Sequence, residues 1–177
     1  MITPSRFTLR RARPADAAAV ITVLAAARSR SAAMGYDLWP LGFTAEQLEP
    51  ALGAGQTFLA VDRDGSAIGT ITVEREDPLW ADRADGVVAG YVHRVAVRDR
   101  GTGLGAALLD WADGHVAGFG GDRLRLDCIA WDPALRRYYE RAGFAHVDDV
   151  ALPPLPGVPP PAHGPVALSR YERLAVG

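Results

Sequence analysis

Alternating apolar and polar positions, interrupted by stretches of helical spacing, predict a chain of strands and helices. Period-two patterns predict strands at 7–12, 57–61, 67–73, 87–97, 124–129, 144–150 and 166–174. Apolar residues three and four positions apart predict helices that begin near Pro14, Thr44, Leu104 and Asp132. The helical period is lost between residues 29 and 43. The segment 79–86, which contains Trp80, is expected to be a polar loop, and the proline-rich run at 152–165 also predicts a loop.

Composition indicates one domain that spans residues 1–177. Of the 177 residues, 49% are hydrophobic, which is enough for one sizeable core. The net charge is −2 and the arginines are scattered, so we expect no nucleic-acid partner and no membrane surface. The N-terminal residues lack the apolar run of a signal or anchor segment, which predicts a cytoplasmic protein. Cys128, at the end of an apolar strand, is expected to be a buried structural thiol.

The segment Arg100-Gly101-Thr102-Gly103-Leu104-Gly105 lies between a predicted strand and a predicted helix. Glycines at alternate positions let the backbone turn with its N–H groups accessible to a ligand. The first turn of the following helix adds unpaired N–H groups and the positive end of the helix dipole. Arg98 and Arg100 add positive charge, so the segment predicts a site for a phosphate or diphosphate group.

Two kinds of phosphate site have glycine patterns of this type. Gly101-x-Gly103-x-x-Ala106 fits a dinucleotide fingerprint, and Asp127 follows at about the distance of a ribose-binding acid, roughly 20 residues on. However, residues 98–100 separate the strand from the first glycine, whereas a dinucleotide-binding strand runs directly into its turn. A predicted antiparallel hairpin at 57–73 also precedes the site in place of a strand and helix unit.

The alternative is an acyl-CoA site. Arg100-x-x-Gly103-x-Gly105, entered from Val-Ala-Val, resembles the acyl-CoA-binding motif of the GNAT superfamily of N-acetyltransferases. The segment 131–144, in which Tyr139 stands four residues before Gly143-Phe144, is similar to a later helix of that family. This resemblance implies an α/β (α+β) fold with a central mixed, mostly antiparallel sheet flanked by helices. It also implies transfer of an acetyl group from acetyl-CoA to an amine, directly within a ternary complex.

The resemblance assigns the co-substrate to the glycine turn, the edge of the preceding strand and the later helix. The residues it implies are Val95, Ala96, Val97, Arg98, Arg100, Gly101, Thr102, Gly103, Leu104, Gly105, Asp132 and Tyr139. At position 132 many members carry Asn. An ionised aspartate caps a helix equally well but cannot donate a hydrogen bond to the co-substrate.

Catalysis by such an enzyme needs a base, because an amine with a pKa of about 10 is mostly ammonium at neutral pH. Tyr91 and His93 share one strand face, as do Val95 and Val97, and His93 is the candidate base. Alternatively, His93 has a structural role and forms hydrogen bonds with neighbouring backbone groups. Glu74 is a second candidate base. The resemblance also implies that Tyr139 is the proton donor to the departing thiolate, although Tyr139 equally fits a purely structural apolar stripe.

The acceptor is expected to be a small-molecule amine. Tyr36, Trp39, Glu74 and Tyr91 are the candidate substrate-binding residues, and with Trp80 they favour an apolar or aromatic amine. The residues supply no metal cluster, so no metal is expected, and family members of this size often pair as homodimers. The rival interpretations are a non-catalytic acyl-CoA-binding sensor and a dinucleotide-dependent enzyme.

Overall fold

The computed structural model describes residues 7–33, 42–83, 86–151 and 167–175, with the backbone alone for residues 31–33. The strands in these ranges are β1 (Thr8–Arg11), β2 (Thr57–Val61), β3 (Ala67–Glu74), β4 (Ala89–Val97), β5 (Arg123–Ile129), β6 (Ala145–Ala151) and β7 (Ala167–Leu174). The helices are α1 (Ala17–Ala33), α2 (Ala45–Gly53), α3 (Leu104–Ala117) and α4 (Pro133–Arg141). Two 3-10 turns span Pro14–Asp16 and Pro78–Trp80.

The strands form one seven-stranded sheet in the order β1-β2-β3-β4-β5-β7-β6. Every neighbouring pair is antiparallel except β4 and β5, which are parallel. This is the expected mixed, mostly antiparallel sheet flanked by helices, so the predicted fold class is confirmed. None of the described helices has the length and apolar content needed to cross a membrane.

Helices cover both faces of the sheet. Leu59 of β2 packs in one cluster with residues of α1 and α2, whereas its neighbours Phe58 and Ala60 pack in another with residues of α3 and α4. This alternation follows from the opposite directions of successive side chains in a strand. The sheet therefore separates an α1–α2 layer from an α3–α4 layer.

A bulge in β4 interrupts its pairing with β3. Thr72 pairs with His93 and Thr70 pairs with Ala96, so one extra residue is inserted on β4. Arg94 has φ +52°, a conformation that non-glycine residues seldom adopt. After the bulge Ala96 packs against the α1–α2 layer, while Val95 packs in the α3–α4 layer. The bulge therefore reverses the alternation of side chains along the second half of β4.

The strands β4 and β5 separate just where this bulge occurs. Their pairing runs from Ala89 opposite Arg123 to Val92 opposite Leu126 and then stops, although both strands continue. Residues 93–97 of β4 therefore have an edge that β5 does not pair with. Backbone groups on such an edge can bind an extended, amide-containing ligand.

The helix and turn predictions differ from the structure in two places. α1 continues to Ala33, beyond the predicted loss of periodicity at residue 29, because alanines sustain a helix without an apolar stripe. The segment 79–86 was expected to be a polar loop, but Trp80 lies in a 3-10 turn and is only 2% exposed. The run 152–165 lies outside the described residues.

Candidate active site

The turn between β4 and α3 presents backbone N–H groups at a helix N-terminus. Gly101 and Gly103 both have φ +76°, which glycine adopts without steric cost, and open space lies where a Cβ would project. Ala107 N–H donates to the Gly103 carbonyl at 3.1 Å, so the N–H groups of Gly105 and Ala106 precede the first helical bond. This arrangement suits a phosphate group.

Other predicted residues of this turn have partners within the protein. Leu104 N–H donates to Thr102 Oγ1 at 3.3 Å, and that hydroxyl donates to the Asp99 carbonyl at 3.3 Å. The exposed Arg98 guanidinium donates from Nε to Asp99 Oδ2 at 3.1 Å. Arg100 is exposed on the same turn. The turn therefore holds its shape through local hydrogen bonds, and part of the charge of Arg98 is offset.

Gly105 lies in the first turn of α3 and faces α4. A Cβ at this position would lie 2.6 Å from the Tyr138 hydroxyl oxygen, which is closer than real Cβ contacts. Glycine at 105 thus allows Tyr138 and the first turn of α3 to approach each other closely. A larger residue at 105 would displace either the Tyr138 hydroxyl or the first turn of α3, next to the glycine turn at Gly101–Gly105, which we call the phosphate cradle.

A cluster of three titratable side chains lies where β4 and β5 separate. His93 Nε2 lies 3.4 Å from Asp77 Oδ2, and the exposed fractions of these side chains are 24% and 9%. Asp127 of β5 completes the cluster, with one ligand-type atom of each residue within 4.8 Å of the others. Burial raises the pKa of Asp127, and the nearby Asp77 carboxylate raises it further while His93 lowers it. The cluster has the chemistry of a cation site and of a general base.

The segment that carries Asp77 is tied to the far side of the sheet. Arg170 of β7 donates to the Leu79 carbonyl at 2.8 Å, to Asp82 at 2.6 Å and to Asp148 of β6 at 2.6 Å. The Arg170 side chain is 2% exposed, so its charge is compensated by these carboxylates in a largely buried position. This network holds the 3-10 turn that follows Asp77 against β6 and β7.

Tyr139 lies on the other side of the strand separation, within the α3–α4 layer. It is 8% exposed, and its ring contacts those of Phe144 and Tyr171 with centroids 5.9 and 6.3 Å away. Among the described residues its hydroxyl has no hydrogen-bond partner. Burial raises the pKa of Tyr139 well above its usual value, so the phenol stays protonated and able to donate.

The remaining predicted acceptor residues do not all gather at His93. Glu74 pairs with Arg94 at 3.3 Å, and Tyr91 accepts a weak hydrogen bond from Arg125 at 3.5 Å. Trp80 is 2% exposed, and the guanidinium groups of Arg125 and Arg170 lie 4.9 and 5.1 Å from its ring centroid, so most of its side chain packs in the interior. Tyr36 and Trp39 lie outside the described residues.

One cleft of about 480 Å³ leads to the cluster. Its lining includes Asp77, Trp80, Tyr91 and Arg125. The cleft therefore connects solvent with the Asp77 side of the strand separation. Tyr91 is the predicted acceptor residue that lines it.

Asp132 is 6% exposed and caps α4 as predicted. Its Oδ1 accepts hydrogen bonds from the N–H groups of Ala134 and Leu135, both at 3.0 Å. Because that carboxylate oxygen already accepts two hydrogen bonds from the helix, this geometry does not support the predicted contact with the co-substrate, which stays a prediction.

Cys128 is buried, as expected, and burial raises the pKa of its thiol to about 12.

Sequence reasoning missed Asp77 as a partner of His93. Asp77 immediately precedes Pro78, and its Oδ1 accepts from Leu79 N–H at 2.8 Å, which is an N-cap signal that could have identified a fixed carboxylate. Asp127 was noticed only as a ribose-binding candidate of a dinucleotide fold. The antiparallel pairing of β2, β3 and β4 excludes that fold, and Asp127 lies instead beside His93.

Comparison with known proteins agrees with this geometry. Residues 24–144 match the family described as the acetyltransferase (GNAT) family. The chain is 42% identical over 74 residues to YesJ of Bacillus subtilis, named an uncharacterized N-acetyltransferase, and the match spans 40% of each chain. The chain thus spans about two fifths of the length of that relative.

Solved structures with low sequence identity share the fold. A GNAT family acetyltransferase from Listeria monocytogenes superposes with a TM-score of 0.70 at 21% identity, covering 95% of this chain and 94% of the other. A variant of an agmatine N-acetyltransferase superposes with a TM-score of 0.70 at 15% identity, covering 96% and 100%. Together with the match over residues 24–144, the split between β4 and β5 and the glycine turn show that the chain belongs to the acetyltransferase (GNAT) family.

Proposed function

We propose that the chain transfers an acetyl group from acetyl-CoA to the primary amine of a small-molecule acceptor, directly within a ternary complex. The observation that carries this proposal is the Asp77–His93 pair, 3.4 Å apart, at the point where β4 and β5 separate. The phosphate cradle at Gly101–Gly105 supports the same proposal, because coenzyme A contains a diphosphate. Acetyl-CoA, when bound, supplies the thioester carbonyl carbon that the amine attacks.

His93 is proposed as the base. The acceptor nitrogen can attack only after it loses a proton, and an imidazole can take that proton directly or through water. Asp77 orients the ring and stabilises its protonated form once the proton has moved. The N–C bond then forms, the C–S bond breaks, and the sulfur leaves as a thiolate. The nitrogen gives up its second proton in the same step, which balances the proton that the thiolate takes up. Glu74 is the weaker candidate base because Arg94 is paired with it.

Tyr139 is proposed to protonate the departing thiolate. Its buried phenol keeps its proton at neutral pH and has no hydrogen-bond partner among the described residues. That hydroxyl can therefore donate its hydrogen bond to the sulfur. Tyr139 and His93 lie on opposite sides of the sheet, so the two proton transfers would occur on opposite sides of the strand separation.

The acceptor is proposed to enter as an ammonium ion. Asp77 and Asp127 place two carboxyl groups beside His93, whereas Arg125, the cation nearest to Tyr91, pairs with Glu172 at 3.1 Å. A cation is therefore favoured at this position, and the carboxylates would hold the ammonium next to the base. Tyr91 in the cleft is consistent with an aromatic amine, but the burial of Trp80 weakens that preference.

Two measurements test this function. Calorimetric titration should show stoichiometric binding of acetyl-CoA and none of NADH, and Gly103→Val should weaken acetyl-CoA binding because valine is strained at φ +76°. Mass spectrometry should detect an acetylated product from at least one member of a panel of arylalkylamines, amino acids, agmatine and polyamines. Turnover of polycations alone would refute an aromatic acceptor, and binding without any turnover would identify a sensor.

Three further expectations stay predictions. Turnover that is unchanged by EDTA would support a reaction without a metal, although the spacing of Asp77, His93 and Asp127 would accommodate one. Light scattering of the purified chain tests the homodimer. Imaging of the protein in its own cells tests the cytoplasmic location.

A further inference from the structure

Arg30, in the last turn of α1, reaches across to the end of β4. Its NH1 group donates to the Arg98 carbonyl at 2.5 Å, and its NH2 group donates to the Val97 carbonyl. Its Nε is buried and has no partner among the described residues. A helix on one face of the sheet thus contacts the strand end from which the glycine turn begins.

The charge of Arg30 has no counter-ion among the described residues. Both of its described partners are neutral backbone carbonyls, and no described carboxylate lies within ion-pair distance. Arg98, by contrast, pairs with Asp99 at 3.1 Å and lies 3.9 Å from Asp62. A half-buried guanidinium without a counter-ion is unfavourable unless an anion binds it.

Arg30 contacts the segment that leads into the glycine turn. The chain passes from Val97 and Arg98 directly into the turn at Gly101 and Gly103 and then into the first turn of α3. The helix dipole and the N–H groups there already favour a phosphate. A guanidinium carries five N–H donors, so the two described hydrogen bonds leave donors for another ligand.

We infer that Arg30 is a further ligand of the diphosphate of coenzyme A, bridging the carbonyls at the end of β4 and a phosphate oxygen. This inference rests on the proposed function only in requiring that coenzyme A binds at the glycine turn. It assigns to α1 a direct part in co-substrate binding. Arginine suits this role because its planar group can contact carbonyl and phosphate oxygens at once.

Truncated ligands separate a phosphate contact from a structural one. The affinities of coenzyme A, of dephospho-coenzyme A and of pantetheine are measured for the wild type, Arg30→Met, Arg30→Lys and the control Arg28→Met on the same helix. Pantetheine, which lacks the diphosphate, is measured by displacement of coenzyme A. We expect Arg30→Met to weaken both diphosphate ligands by about 10- to 100-fold, from the loss of a charged hydrogen bond. Pantetheine affinity should not change, and Arg30→Lys should recover part of the loss.

Each other outcome has a distinct meaning. An equal loss for all three ligands would overturn the inference, because it would mean that Arg30 only holds the strand end in place. A loss of affinity for coenzyme A but not for dephospho-coenzyme A would also overturn it, because it would assign the contact of Arg30 to the 3′-phosphate. Unchanged affinities would exclude any contact. Failure of the wild type to bind coenzyme A would instead refute the proposed function, and the Arg30 variants would not be needed to show it.

Discussion

His93 Nε2 lies 3.4 Å from Asp77 Oδ2, so an imidazole on β4 is paired with a carboxylate from the segment that follows β3. The other Asp77 oxygen accepts from Leu79 N–H at 2.8 Å, which fixes the carboxylate from a second direction. A carboxylate held in this way can orient an imidazole and stabilise its protonated form. The pair is therefore the feature on which the proposed chemistry depends most.

Asp77→Asn should impair catalysis while preserving the fold. Asparagine can still cap the 3-10 turn at Leu79 but carries no charge. We expect kcat to fall by about tenfold or more, as for a weakened general base. Steady-state kinetics of Asp77→Asn and the wild type at one neutral pH measure this effect.

The matched control for Asp77→Asn is Glu49→Gln. Glu49 of α2 is exposed and does not line the cleft, so its charge lies in solvent. It should leave kcat unchanged. A similar fall in kcat in both variants would mean that general surface charge, rather than the Asp77–His93 contact, is responsible.

Tyr139→Phe should lower kcat with little change in the KM for acetyl-CoA. Removal of a proton donor that acts in the transition state typically costs about 100-fold or more. Tyr138→Phe is the companion variant, because the Tyr138 hydroxyl approaches Gly105 beside the phosphate cradle. It should affect the KM for acetyl-CoA rather than kcat. Full turnover by Tyr139→Phe would end its proposed role and leave it as a core residue.

The fold class was predictable from the family resemblance, and the glycine turn and the helix caps were predictable because they depend on local sequence. Glycines at 101 and 103 and the capping residue Asp132 set their own backbone geometry within a few residues. The bulge at Arg94 was not predictable, since it depends on the register between β3 and β4. The bulge reverses the side-chain directions in the second half of β4. The regular alternation of side chains along a strand therefore could not predict which face of the sheet carries Val95.

The partners of His93 were also beyond sequence reasoning. The segment that carries Asp77 is held through Leu79 and Asp82 by Arg170, 93 positions later in the sequence than Asp77. Asp127 reaches the same place because β5 lies parallel to β4, a pairing made by a crossover through α3. Contacts of this kind depend on tertiary packing.

Replacement by alanine should change the free energy of unfolding in opposite directions at two glycines, one in β4 and one in α3. A Cβ on Gly90 of β4 would overlap Val116 of α3, whereas nothing lies within 4 Å of a Cβ on Gly114. We expect Gly90→Ala to lower the free energy of unfolding by about 2 kcal/mol, as overpacking does. Gly114→Ala should raise it by up to about 1 kcal/mol, since alanine favours a helix interior. Urea denaturation measures both, and a neutral Gly90→Ala would contradict the close packing of β4 on α3.

Cys128 should be unreactive in the folded protein. Burial raises the pKa of its thiol from 9.0 to about 12, so almost no thiolate is present near neutral pH. We expect modification by a disulfide reagent at pH 8 to be on the order of 100-fold slower than in denaturant. Cys128→Ala provides the blank, because Cys128 is the one cysteine of the chain. Rapid modification of the folded protein would place the thiol at the surface.

The same shift predicts the sign of a pH effect on stability. The folded state holds the Cys128 proton more tightly than the unfolded state does. The contribution of the buried thiol to the free energy of unfolding is therefore complete below about pH 9. It is lost as the pH rises from there towards about 12. The difference in free energy of unfolding between the wild type and Cys128→Ala should therefore change in this interval and be constant below it.

The most direct test of the proposed function is turnover by the wild type and His93→Gln, measured side by side with their affinities for acetyl-CoA. Acetylated amine is quantified by mass spectrometry over the acceptor panel. The proposal predicts product from the wild type, a loss of about 100-fold in kcat for His93→Gln, and equal acetyl-CoA affinity. Full turnover by His93→Gln, or acetyl-CoA binding by the wild type without product from any amine, would contradict it.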